Sequence, residues 1–188
     1  MSDPLSIILW YLILPLWLLA GFADWLCHRA SHIAETAGPR ESVLHLLMFG
    51  EIGIALLACL FLEINALVFA LMIGLFFLHE ATALWDVSYA VKRRHVSPLE
   101  QHVHSFLEIL PLAAGLMLAA RHWQAFLSLF GLGDLPADWT PRPRWPTVPI
   151  AYVSTLLGAS ACLALLPYAL ELRQGLRARP TGAAGNTK

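Results

Sequence analysis

Between Leu5 and Ala23 the chain reads LSIILWYLILPLWLLAGFA, 19 residues without a single charge. At about 1.5 Å of rise per residue, a helical run of this length crosses the hydrocarbon layer of a bilayer. Helical pattern continues beyond it through Asp24 to Thr36, so the first span is read as residues 5–36. Four further spans follow at 41–61, 64–90, 98–120 and 148–168. The expected fold class is therefore all-α, a polytopic integral-membrane bundle of about five transmembrane helices. It forms a single membrane domain over residues 1–172, followed by a mobile polar tail at 173–188. Met1 to Pro4 lacks the basic stretch of a secretory leader and the apolar run exceeds a leader core, which reads as a retained first span.

Local punctuation supports these boundaries. Gly38-Pro39 ends one helix and opens the next, because proline cannot extend a helix behind it but fits the first turn of another. Only Leu62-Glu63 separates the second and third spans, a link short enough to force an antiparallel hairpin. Ser97-Pro98-Leu99-Glu100 reads as a capping box with proline at the first helical position. Arg121 to Leu132 is amphipathic, and Gly133 to Thr147 is a loop dense in proline and tryptophan. Trp139 and Trp145 place that loop at headgroup level.

Composition agrees with the membrane class and sharpens the question. Hydrophobic residues make up 58% of the chain and charged residues 13%, with a net charge of -1. A chain so apolar is not disordered, and one without a basic excess is not a nucleic-acid binder. Cys27, Cys59 and Cys162 form no CxxC pair and no disulfide framework, and read as small buried residues. Yet the sequence holds eight histidines and thirteen carboxylates. Such groups are expensive in lipid unless something pairs them.

Basic residues near the helix ends give the expected orientation. With the N-terminus outside, the inner side carries Arg29, Arg40, Lys92, Arg93, Arg94, Arg173, Arg177, Arg179 and Lys188. Against these nine, only Arg121, Arg142 and Arg144 fall outside. The expected location is a bacterial-type inner membrane with the C-terminus in the cytoplasm. Seven of the histidines then share the cytoplasmic side: His28, His32, His45, His79, His95, His102 and His104. His122, beside Trp123, falls on the other side and reads as a headgroup contact.

Spacing adds carboxylates to this set. On a continuous helix at about 100° per residue, Asp24, His28, His32 and Glu35 fall within about 80° of arc. Glu41 and His45 are four residues apart on the second span, His79 and Asp86 seven apart on the third. Glu100, His104 and Glu108 form a stripe on the fourth. Each helix thus offers a histidine with a carboxylate one or two turns away, the arrangement by which helical bundles build metal sites. The candidate metal ligands are His28, His32, His45, His79, His95, His102, His104, Asp24 and Glu41. Glu80, Asp86 and Glu108 are the candidate bridging or catalytic carboxylates. Glu51 and Glu63 read as packing or interface carboxylates, with Glu51 alternatively lining a substrate or proton path.

Mixed imidazole and carboxylate ligation suits non-haem iron, manganese or zinc, and the missing thiolate set argues against a cysteine-based site. The ligands outnumber what one tetrahedral ion uses, which favours two ions. Two functions that fit such a site are a membrane zinc hydrolase acting on a lipid amide or ester and a metal-ion carrier or sensor. The hydrolase is weakened because His79-Glu80-Ala81-Thr82-Ala83 lacks the second histidine of HExxH, and the carrier because transit needs polar residues across the bilayer.

The His-x3-His pair at His28 and His32, with further histidines after later spans and all on one membrane face, resembles the integral-membrane di-iron desaturases and hydroxylases of fatty acids, sterols and alkanes. The resemblance covers residues 24–108 in pattern. His28 and His32 match the first box of that family in spacing. Its later boxes are His-x-x-His-His, whereas this chain has His102-x-His104 and an isolated His95. The resemblance implies two iron ions that activate oxygen for attack on an unactivated C–H bond, a lipophilic substrate drawn from membrane lipid, and a separate electron donor.

Overall fold

The computed structural model describes residues 3–145 and 148–178. Five long helices are each apolar and long enough to cross a membrane: α1 (Pro4–Ala30), α3 (Pro39–Phe61), α4 (Ala66–Ala90), α5 (Pro98–Arg121) and α7 (Ile150–Arg177). Two short helices join them, α2 (Ile33–Thr36) and α6 (Trp123–Leu129). The protein is an all-α polytopic bundle.

Side chains and prolines fix the helix ends. Asn65 caps α4 by accepting from the Val68 N–H at 3.2 Å, and Ser97 caps α5 by accepting from the Glu100 N–H at 3.2 Å. Half of the expected capping box is therefore present. The other half is missing because the Glu100 carboxylate turns inward to Arg94. Within α1 and α7 the helix widens into a π-turn at Leu9–Ile13 and at Ala161–Leu165. Each widened turn directly precedes a proline step, at Pro15 and Pro167, where the ring removes a donor and crowds the preceding turn.

Three expected boundaries change. The first helix does not run to Thr36 but stops at Ala30, because His32 adopts a left-handed conformation (φ 51°) and Ser31 folds back to bond the Cys27 and His28 carbonyls. The last span, expected to end at 168, instead runs to Arg177, so residues 173–177 of the expected mobile tail are helical. Residues 179–188 of that tail lie outside the described residues.

Short links make α1, α3, α4 and α5 alternate in direction, and α7, which follows a longer link, sets Tyr152 against Trp10 and Tyr168 against Asp24. The starts of α1, α4 and α7 therefore share one end of the bundle with the finishes of α3 and α5, and the reverse holds at the other end. The helices α3 and α4 pack along their length as the predicted hairpin, α1 lies against α5, and α7 wedges against α1 and α3. At the end where α1 begins, Trp10, Leu14, Phe69, Leu118, Val153 and Leu156 form the apolar core. The Pro- and Trp-rich loop closes this end: Asn65 donates to the Thr140 carbonyl at 2.9 Å, and the Arg144 N–H donates to the Phe61 carbonyl at 2.8 Å. Trp139 and Trp145 point outward from it.

Candidate metal centre

At the opposite end, where α1 finishes and α3 and α5 begin, the interior is polar. Asp24 and His28 come from α1, Glu41 and His45 from α3, Asp86 from α4, Glu100 and His104 from α5, and Glu171 from α7. Of these only His104 retains appreciable exposure. Each helix thus contributes the terminal two turns of the face it turns inward, where antiparallel packing brings five helix ends together.

The distances are short. His104 Nε2 lies 2.8 Å from Asp24 Oδ1, His28 Nε2 3.3 Å from Asp24 Oδ2, and His45 Nε2 3.3 Å from Asp86 Oδ2. His28 Nδ1 lies 3.4 Å from Glu171 Oε2, and the rings of His28 and His45 are 4.3 Å apart. Asp24, His28, His45 and His104 each bring one ligand-type atom within 4.8 Å of the others, and Glu41, His45 and Asp86 form a second group overlapping at His45. Both groups are able to hold a cation.

Hydrogen bonding does not account for this convergence. Both ring nitrogens of His28 and of His45 are buried without a hydrogen bond, as are Asp24 Oδ1, Asp86 Oδ1 and Glu171 Oε2. Buried polar atoms are ordinarily bonded, and here several sit within reach of one another without the orientation to bond. Ligand atoms aimed at a common point have this geometry.

A second layer holds the cluster in place. The Tyr168 hydroxyl lies 3.2 Å from Asp24 Oδ2 and donates to the Gly21 carbonyl at 3.1 Å, and its ring stacks on His45 at 5.4 Å. Ser42 donates to Glu171 at 2.7 Å. Arg94 donates through Nε to Glu41 at 3.1 Å and through Nη1 to Glu100 at 3.0 Å. Burial opposes the charge on Arg94, but bonds to Glu100 and Glu41 outweigh it and hold the guanidinium above the ordinary arginine range. Both oxygens of Glu41 face Arg94, which fits an orienting carboxylate better than a direct ligand.

The remaining sequence candidates lie apart. His32 and Glu35 leave the stripe because the helix breaks before them, and both are exposed, as are His95 and His102. His102 packs edge-on against Phe106 instead. Deeper in the bundle, buried His79 lies 3.7 Å from Glu51, whose other oxygen accepts from Thr82 at 2.9 Å. Glu80 is half-buried with Oε1 unpartnered, outside both groups. His79 and exposed Glu108 nevertheless line the cavity that opens beside the cluster. That cavity, of about 70 Å³, has Asp24, His45, Asp86 and His104 on its polar wall and Trp17, Phe49, Leu107 and Ala164 on its apolar one. Trp17 also borders an apolar cavity of about 340 Å³ reaching toward the other end, between Trp10, Phe69, Met72 and Leu118.

Arg94, Tyr168 and Glu171 were not among the sequence candidates. Lys92, Arg93 and Arg94 look alike in sequence, and only the fold separates two exposed cations from one with a nearly buried side chain. Tyr168 and Glu171 did carry a signal, two polar residues at i and i+3 on an otherwise apolar turn, with Gly175 one turn further on the same face. Gly175 serves close approach: a Cβ there would sit 3.0 Å from the Pro39 nitrogen, so its absence lets α7 press against the start of α3 and seat Glu171. No family model, no curated protein and no solved structure matches the chain.

Proposed function

We propose that the protein is a membrane-embedded metalloenzyme of the di-iron oxygenase type, with two iron ions in the buried cluster and a lipophilic substrate in the adjoining cavities. Charge carries the reading. Asp24, Glu41, Asp86, Glu100 and Glu171 are each at most 4% exposed, and Arg94 is the one guanidinium among them. Five carboxylates against one guanidinium leave up to four negative charges in a buried volume, which cations or protons must offset. Two divalent ions balance four. Protonating His28, His45 and His104 balances only three, and sets three cations against one another.

In this reading Asp24, His28 and His104 would hold one ion, and His45 with Asp86 the other. Glu100 and Glu171 orient the His28 imidazole, Arg94 holds Glu41 and Glu100, and Tyr168 lies against Asp24. Such ions, when bound, supply redox chemistry with oxygen. The protein's own contribution is a rigid anionic cradle beside a cavity whose Trp17, Phe49 and Leu107 walls exclude water and hold an alkyl chain. The larger apolar cavity extends room for that chain. Continuation of polar groups through the bundle, which an ion carrier requires, is not a feature of the core around Leu14, Phe69 and Leu118. The excess of basic residues at the cluster end supports a cytoplasmic site with the N-terminus outside, where a separate electron donor has access.

The test is metal analysis with spectroscopy on detergent-purified protein. About two irons per chain with a magnetically coupled signal are expected. One zinc and no iron would favour the lipid hydrolase, and a metal-free sample that takes up neither iron nor zinc would overturn the reading.

A further inference from the structure

The cations at the two ends of the bundle are treated differently. At the end where α1 begins, Arg121 pairs with Asp3, Arg142 pairs with Glu63 and Asp138, and Arg144 donates to the Cys59 carbonyl. At the cluster end, among the described residues, no carboxylate lies within 4.0 Å of Arg29, Arg40, Lys92 or Arg93, all exposed. The three arginines rest on aromatic rings instead, Arg29 on Trp25 and the other two on Tyr89. The Arg40 guanidinium lies 5.1 Å from the Tyr89 ring centroid and 5.4 Å from that of Trp85, and Arg93 lies 4.6 Å from Tyr89. Tyr89 is itself fixed by donating to the Ala37 carbonyl at 2.9 Å.

Two guanidiniums drawn to one ring repel each other, and the ring's quadrupole only partly offsets this. An anion between them would relieve it. Beside Arg93, on the same Tyr89 ring that Arg40 approaches, is a hollow of about 500 Å³ lined by Thr36, Trp85, Ser88, Tyr89, Lys92 and Arg93, open to the outside. Its hydroxyls and cations are those that bind phosphate oxygens, and its half-exposed Trp85 is of the kind that sits where acyl chains meet headgroups. It lies at the finish of α4, a helix long and apolar enough to cross a membrane, and the end of such a span meets the headgroup layer.

We infer that the shelf of Arg40, Trp85, Tyr89, Lys92 and Arg93 is a binding site for the phosphate headgroup of an anionic phospholipid. The aromatic rings pre-position the guanidiniums at little further cost in side-chain entropy, and the lipid's own chains lie along exposed Leu84 and Phe77 on the same helix. The site is separate from the metal cluster, so the inference stands or falls independently of the metal.

Native mass spectrometry of the whole protein in detergent tests it, with phosphatidylglycerol, phosphatidylcholine, inorganic phosphate and an acidic peptide as probes. Phosphatidylglycerol should be retained one per chain in preference to phosphatidylcholine. Each cation removed should weaken retention about fivefold, so Lys92→Gln with Arg93→Gln should weaken it about twenty-five-fold. Lys92→Arg should keep it and Arg121→Gln at the other end should leave it unchanged, with melting temperature reporting that each variant is folded. Equal retention of both lipids, equal loss with Arg121→Gln, or displacement of lipid by the peptide or by millimolar phosphate would each overturn the assignment.

Discussion

The two ends of this bundle are built from the same five helices and held together by opposite means. Around Trp10, Phe69, Leu118 and Val153 the helices meet through apolar packing, which no partner needs to complete. Around His28, His45 and Asp24 they meet through carboxylates and imidazoles that leave each other's hydrogen bonds unmade. The first arrangement stabilises the fold by itself. The second is tolerated only because the first is there, and under the proposed function it is a cradle for cations.

The largest expected effects set the ends against each other. Arg94→Met leaves Glu41 and Glu100 buried without a counter-charge and should destabilise the protein by about 3–5 kcal/mol, with loss of bound metal. Phe69→Ala should cost a similar 3–5 kcal/mol, roughly, by opening a cavity in the apolar end. Its surviving folded protein should keep its metal, as read by melting in detergent with metal analysis of the folded fraction. Metal loss of equal size in both variants would erase the distinction between the ends.

Asp24→Asn sharpens the contrast, because two properties should move in opposite directions. Removing one uncompensated charge should raise the melting temperature of the metal-free protein, while metal affinity falls about tenfold or more. A fall in both would mean that Asp24 is a structural ion-pair partner only. Gly175→Val presses a side chain into the Pro39 backbone and should cost about 1–3 kcal/mol, with weaker metal binding as Glu171 is displaced. The smallest effects belong to the histidines that the fold leaves outside: His32→Ala and His102→Ala should each change stability by no more than about 0.5 kcal/mol. Their metal content should match the parent chain, and a loss like that of His104→Ala would return them to the site.

Much of this was legible from residue order. The apolar runs give five helices, Leu62-Glu63 gives the hairpin, and alternation then sends Asp24, His28, His45, Asp86 and His104 to one end. The pattern failed where backbone conformation intervened. His28 and His32 have helical spacing, but a left-handed His32 ends the helix between them, and nothing in the local sequence demands that conformation. The notion of seven histidines acting together gives way to three at the cluster, with His79 beside its cavity.

The sequence by itself determined the class of molecule, because hydropathy over 19 residues depends only on which side chains are present, and it determined which end of the first four long helices bears polar groups, because the short links between them allow only antiparallel packing. Tertiary structure alone decided membership of the cluster. Whether a carboxylate meets a buried imidazole, as Glu171 meets His28 while accepting from Ser42, or one arginine of three turns inward, as Arg94 does, depends on which faces meet across helices distant in sequence. Those meetings are set by close packing, down to the missing Cβ of Gly175, and no local pattern encodes them.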